Sequence, residues 1–329
     1  MTAPTQDFAV RHLPGRAPAS GVAPVTAVAP TPLVGRDHTL ESAVVQAIAY
    51  ADVFDWPLTP EEVHRYLPVP AELDEVRALL GACDVASCPV ALTDGFATLT
   101  GREWLVQERL ERERRSRSLW PRAARYARAV SALPFVRMVA ITGSLAVDAA
   151  TEDADVDLLV VTDDGRLWLA RALVMAVVRG AALRGLELCP NYLLSRSALR
   201  IEDRNLFAAH ELAQMVPVEA TPAYRELMRQ NAWYHDFLPN AEPRPPLAHT
   251  AWPQWTRAAR RATEGPLRVA LVDRLEDWER RRKVATLTAA SSSSETRYDA
   301  LRCKGHADEH GRRALAAYET RLVKILGEA

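Results

Sequence analysis

Asp155 and Asp157 flank a single valine in "DADVDLLVVT", residues 153–162, immediately ahead of the apolar run Leu158–Val161. In an extended strand alternate side chains share one face, so the two carboxylates project together while Val156 and Leu158 enter the core. Carboxylates held that close repel each other at neutral pH, and a cation between them removes the conflict. Donor sets made of oxygen suit Mg2+, which keeps part of its water shell and binds substrate phosphates. Asp153 stands on the same face of the stretch.

A second chemical element lies upstream. "PFVRMVAI", residues 134–141, is a β-branched and apolar run that ends in Thr142-Gly143-Ser144. Glycine lets the backbone approach an anion closely, and a serine hydroxyl with neighbouring N–H groups at a helix start can hold phosphate oxygens. A strand, a Gly-Ser turn and a second strand opening on Asp-x-Asp therefore form one expected unit.

Gly-Ser, ten residues, then Asp-x-Asp and an apolar run resembles the nucleotidyltransferase superfamily related to DNA polymerase beta. The resemblance covers about residues 131–195. It implies an α+β fold, with a polymerase-beta-like core of mixed sheet and flanking helices, on which Gly143 and Ser144 cradle an NTP triphosphate. Asp155 and Asp157 are then the catalytic residues and the ligands of two Mg2+ ions. NMP passes to a hydroxyl acceptor and pyrophosphate leaves. Ala154 matches the small residue that usually precedes the first aspartate, which leaves Asp153 as a loop or supporting residue. Many members carry a third carboxylate on a later strand. In "LELCPNYLLS", 186–195, Glu187, Cys189 and Asn191 share a face, and Glu187 is the candidate; Pro190 argues against a central position, and Asn191 is the alternative occupant of the acid's place. The chain also resembles uncharacterised bacterial proteins that pair such a core with a particular amino-terminal module. "YADVFDWPLT", "PNYLL" and "AAHELAQM" carry that resemblance, over about 45–240.

The elements that must position this core read as follows. Residues 1–36 hold six prolines and Phe8 as the lone aromatic, a composition expected to form a disordered leader. From Asp37 helical periodicity begins, Thr59-Pro60-Glu61-Glu62 is a helix start, a third helix spans about 70–82, and "PVALTDGFATLT" reads as a hairpin on Asp-Gly. Three helices and a hairpin over 37–102 resemble a winged-helix module. Residues 58–82 hold Arg65 and Arg77 against five acids, which would repel phosphate, so the module reads as a packing element before a DNA binder. Residues 103–131 form a connector helix. With Arg102 the stretch carries nine arginines against four glutamates, and Glu108–Arg112 and Glu111–Arg115 are spaced as i,i+4 pairs on a solvated helix. An anion-attracting wall beside the site is its other reading. The core is expected at 132–200 and a helical region at 201–329.

"CKGHADEH" spaces Cys303, His306 and His310 as C-x2-H-x3-H, a zinc-like pattern without an evident fourth ligand, and Lys304 with His306 is a candidate contact to the NTP phosphates. His210 reads as a half-buried packing histidine, and Asn231, Trp233, Tyr234 and Phe237 as helix-packing residues before a nucleobase wall. No Rossmann, P-loop or hydrolase-elbow motif stands at a suitable strand–helix junction. The 329 residues carry a net charge of -1, which gives no electrostatic case for nucleic acid or an anionic membrane. Four cysteines without CxxC spacing, and no secretory signal, point to a reduced, cytoplasmic protein. Arg171 and Arg179 make the apolar stretch 166–185 a buried helix instead of a membrane span. The acceptor, whether small molecule, protein or nucleic acid, is not legible. The competing reading is a degenerate nucleotide sensor whose amino-terminal module engages DNA or a partner.

Overall fold

The computed structural model describes residues 39–82, 88–247, 270–290, 296–305 and 310–327. The expected leader, Cys83, the first part of the Arg-rich stretch from 252, the serine run 291–294 and His306 lie outside them.

The amino-terminal helices begin where their caps stand. α1 (Leu40–Asp52) starts at Thr39, whose hydroxyl accepts from the Ser42 N–H. α2 (Pro60–Arg65) carries a full capping box, with the Thr59 hydroxyl accepting from the Glu62 N–H and the Glu62 carboxylate from the Thr59 N–H. α3 (Leu73–Ala82) leads to the hairpin β1 (Val90–Thr93) and β2 (Phe96–Leu99), joined by Asp94-Gly95 at positive φ. Leu58 adds a β-bridge to Ala97.

α4 (Leu105–Ser131) ties this module to the rest of the chain. The expected Glu108–Arg112 and Glu111–Arg115 pairs form, at 3.0 and 3.3 Å. Arg109, however, is buried instead of solvated. Its guanidinium meets the Glu62 carboxylate at 2.6 Å and Glu113 at 2.9 Å, and lies 4.3 Å from the Trp56 ring centre and 4.7 Å from that of Phe96. A planar, delocalised cation satisfies both kinds of neighbour.

Among the described residues the central sheet is mixed and has six strands, β3 (Val136–Thr142), β4 (Val156–Thr162), β5 (Leu188–Ser195), β6 (Val216–Pro217), β7 (Arg297–Tyr298) and β8 (Arg302–Lys304), in the order β6-β3-β4-β5-β8-β7. β4 and β5 run parallel and every other pair antiparallel. Strand alternation divides the core. Met138, Ala140, Leu159, Val161 and Leu194 face the amino-terminal helices together with α7 (Leu206–Gln214) and α8 (Pro222–Gln230). Val139, Ile141, Leu158, Val160 and Leu193 face α4 and α6 (Leu167–Ala182). This is the helix-flanked mixed sheet that the resemblance implied.

The boundary at 200 does not separate the sheet, because β6, β7 and β8 come from the region read as helical. Strands of two or three residues are too short to show a period of two. α9 (Ala270–Ala290) also serves the core. α6 lacks a side-chain cap of its own, and Glu276 of α9 accepts from the Trp168 and Leu169 N–H groups at 2.9 and 2.8 Å. α10 (His310–Gly327) packs against α1 and α7. Among the described residues no helix is long and apolar enough to cross a membrane.

Candidate active site

β3 ends at Thr142, and the chain turns at Gly143, where φ is +66°. Gly143 opens one helical turn of four residues, α5 (Gly143–Ala146), after which the Ala149 N–H bonds back to the Ser144 carbonyl at 2.8 Å. Two contacts from α4 hold the following loop. The Trp120 indole N–H donates to Asp148 at 2.6 Å, and the Ser116 hydroxyl accepts from the Ala150 N–H at 3.0 Å. β4 then returns antiparallel to β3, with Thr142 opposite Asp157. That register brings Asp157 against Gly143. A β-carbon on Gly143 would stand 2.0 Å from Asp157 Oδ2, so glycine is required both by the backbone angle and by the space.

Asp155 and Asp157 lie on the same side of the sheet as Cys189, their parallel neighbour on β5. One ligand-capable atom from each of the three falls within 4.8 Å of the others. Burial drives the Asp157 carboxyl well above the ordinary carboxylate range, and the charges of Asp155 and Glu211 add to the shift, against hydrogen bonds from Cys189 and Asn191. Burial also raises Asp155. The Cys189 thiol is raised by burial first and then by the two aspartates. Burial and mutual repulsion both oppose ionisation of the two carboxyls, an electrostatic conflict that a cation between them would relieve. Two carboxylate donors therefore fit a hard divalent ion.

The sequence-predicted residues separate into groups. Gly143 and Ser144 sit on the β3–α5 turn, Asp155 immediately ahead of β4 and Asp157 at its second residue. Asp153 is exposed in the preceding loop. Glu187 is also exposed, just ahead of β5, and its backbone carbonyl accepts from the Val156 N–H. Its side chain is outside the three-residue ligand group. Asn191 is buried and donates to Asp157 Oδ1 at 2.8 Å. Pro190 is accommodated because the β4–β5 ladder shifts register between Asp157 and Leu159, opposite Cys189 and Tyr192. Lys304 lies on β8 beside Tyr192 and pairs with Asp203 at 2.6 Å.

Packing explains the remaining candidates. His210 stacks on Tyr50 at 4.0 Å and is held neutral by burial, its pKa lowered to about 3. Asn231 is fully buried, accepting from the Ile201 N–H and donating to the Leu199 and Leu227 carbonyls. Trp233 and Phe237 meet edge to face, and Tyr234 is buried. Cys303 packs into the apolar cluster on the α4–α6 face, and among the described residues no metal-capable group contains it or His310.

Glu211 was not singled out from the sequence. It follows His210 on α7, is partly buried, and has its pKa raised to about 7 by burial, moderated by Lys304. Its charge is felt at Asp157. The available signal was a lone acid in the otherwise uncharged, apolar-rich helix "LFAAHELAQ".

Residues 124–217 match the family model of the nucleotidyltransferase domain, consistent with the polymerase beta-like nucleotidyltransferase superfamily. The matched span runs from the second half of α4 to β6 and contains the whole Gly-Ser and Asp-x-Asp unit. Neither a curated protein nor a solved structure matches the chain. The domain is that of a transferase-type enzyme and implies a nucleotide substrate.

Proposed function

We propose that the chain is a divalent-metal-dependent nucleotidyltransferase, in the first instance using Mg2+, that moves NMP from an NTP to a hydroxyl acceptor and releases pyrophosphate. The single observation that carries this reading is the contact of Gly143 with the Asp157 carboxylate, which joins the anion-binding turn to the cation-binding pair. Asp155 and Asp157 would hold the cations. When bound, these neutralise charge on the triphosphate and lower the pKa of an attacking hydroxyl.

The chain's own residues do the rest. Gly143 leaves the turn free of a side chain, so that backbone N–H groups and the Ser144 hydroxyl can reach phosphate oxygens. Asn191 fixes the orientation of Asp157 by donating to Oδ1. Glu211, on the helix that covers the same sheet face, is the candidate acceptor of the hydroxyl proton, and a pKa raised to about 7 suits that task. The acceptor oxygen bonds to the α-phosphorus as the bond to the β-phosphate bridge breaks, and the electron pair leaves with pyrophosphate. Lys304, within electrostatic reach of Glu211, is the candidate partner for the leaving phosphates.

The test is pyrophosphate release from each NTP in cell extract with Mg2+ or Mn2+, followed by identification of the labelled acceptor. Asp155→Ala with Asp157→Ala is expected to abolish release while leaving the circular dichroism spectrum unchanged. Undiminished release from that double variant overturns the assignment.

A further inference from the structure

We propose that Cys189 is the third donor of the cation site, and that the site holds a sulfur-seeking divalent ion of the Zn2+ type more tightly than Mg2+. This rests on the reading of Asp155 and Asp157 as cation ligands and refines which ion they accept.

Three observations carry it. The parallel register sets Cys189 directly beside Asp157, and its Sγ joins one oxygen from each aspartate within 4.8 Å. The other residues that could have completed the set do not. Asn191 is committed as a donor to Asp157 Oδ1, and Glu187 is exposed ahead of the strand. The surroundings of Cys189 are polar as well, its thiol donating hydrogen bonds to the Asp155 and Asp157 carboxylates. Cys88 and Cys303 each pack with an apolar cluster, whereas Cys189 belongs to none of the clusters formed by the described residues.

The chemistry follows from the donor set. Mg2+ prefers a shell made of oxygen in near-octahedral geometry and is reluctant to exchange water for other donors. Thiolate favours softer ions, so two carboxylates and one sulfur rank Zn2+, Cd2+ and Co2+ above Mg2+. Binding forms a metal–sulfur bond and breaks the S–H bond, with the proton passing to the buffer.

The experiment uses the full chain stripped of metal and titrated with Co2+ and with Cd2+. A near-ultraviolet sulfur-to-metal charge-transfer band is expected to grow with occupancy. It is expected to vanish in Cys189→Ser, with Cd2+ affinity by calorimetry falling about tenfold or more while Mg2+ affinity changes little. Cys189→Asp, which restores three oxygen donors, should shift the preference toward Mg2+. Wild-type binding without the band, or Cd2+ affinity equal in wild type and Cys189→Ser, overturns the proposal. Pyrophosphate release is read separately. Turnover without the band removes the sulfur ligand alone, whereas the band without turnover supports the ligand and removes the transferase reading.

Discussion

The α-carbon of Gly143 lies so close to Asp157 that a β-carbon built on it would stand 2.0 Å from Oδ2 and 2.9 Å from Cγ. The turn and the acidic strand are therefore one unit, and neither can move without the other. Gly143→Ala is expected to displace the carboxylate and to place alanine at φ +66°, a conformation that costs about 1–2 kcal/mol for an L-residue. Misplacing a catalytic group by about 1 Å can cost about 100-fold in rate. Pyrophosphate release should fall by at least that factor, and the denaturation midpoint should fall as well, by the equivalent of at least about 1–2 kcal/mol. Wild-type turnover in Gly143→Ala would show that this contact is not part of the catalytic arrangement.

The acidic pair and the glycine turn were legible because both signals are local, a strand period of two and a fixed spacing from the turn. The shared face of Glu187, Cys189 and Asn191 was legible in the same way, but which of them meets Asp157 depended on a pairing with β4 and on a register shift at Pro190, and no local pattern reports either. Glu211 acts on Asp157 through its charge from α7, whose apolar spacing announces a packed helix without saying which sheet face it covers. Arg109 was hidden in a different way. Among nine arginines on one charged stretch, its burial is set by Trp56, Phe96 and Glu62, all distant in sequence.

Glu211 makes a pH prediction whose sign can be worked out. Its folded pKa of about 7 is above the ordinary 4.5, so the folded state favours the protonated form. As pH rises from 4.5 to about 7 the unfolded chain releases this proton first, and the metal-free protein loses stability, on the order of 3 kcal/mol at most. Glu211→Gln keeps the shape and removes the charge. In chelator, the difference between the denaturation midpoints of Glu211→Gln and wild type should widen in the variant's favour between pH 5 and 8. The same substitution should lower the rate of NMP transfer if Glu211 accepts the hydroxyl proton. A constant difference across that range would place Glu211 in water.

His210 titrates in the opposite sense. Burial holds it neutral with a pKa lowered to about 3 from 6.5, and the Arg65 charge adds to the shift. As pH falls below 6.5 the unfolded chain takes up a proton that the folded state refuses. Stability is thus full above 6.5 and declines toward pH 3, with a limiting loss on the order of 5 kcal/mol. His210→Phe retains a ring between Tyr50 and Tyr66 and cannot be protonated. Urea midpoints at pH 7 and pH 4.5 should therefore differ less in the variant than in wild type. Parallel losses in the two proteins would mean that His210 is hydrated in solution.

Arg109 is expected to be the most sensitive arginine on α4. It is 4% exposed, and its removal leaves the Glu62 carboxylate without its guanidinium partner while opening space between the Trp56 and Phe96 rings. Breaking a buried ion pair by deleting one partner typically costs about 3–5 kcal/mol, and Arg109→Ala should approach that range because cation–ring contacts are lost as well. Arg109→Lys keeps the charge but neither the fork nor the stacking plane, so it should recover only part of the loss. Arg114→Ala, on the exposed side of the same helix, should stay within about 0.5 kcal/mol of wild type. Chemical denaturation of the three variants checks the order. Equal effects at 109 and 114 would return α4 to the solvated connector that its charge pattern resembles, with the amino-terminal module held by its apolar contacts alone.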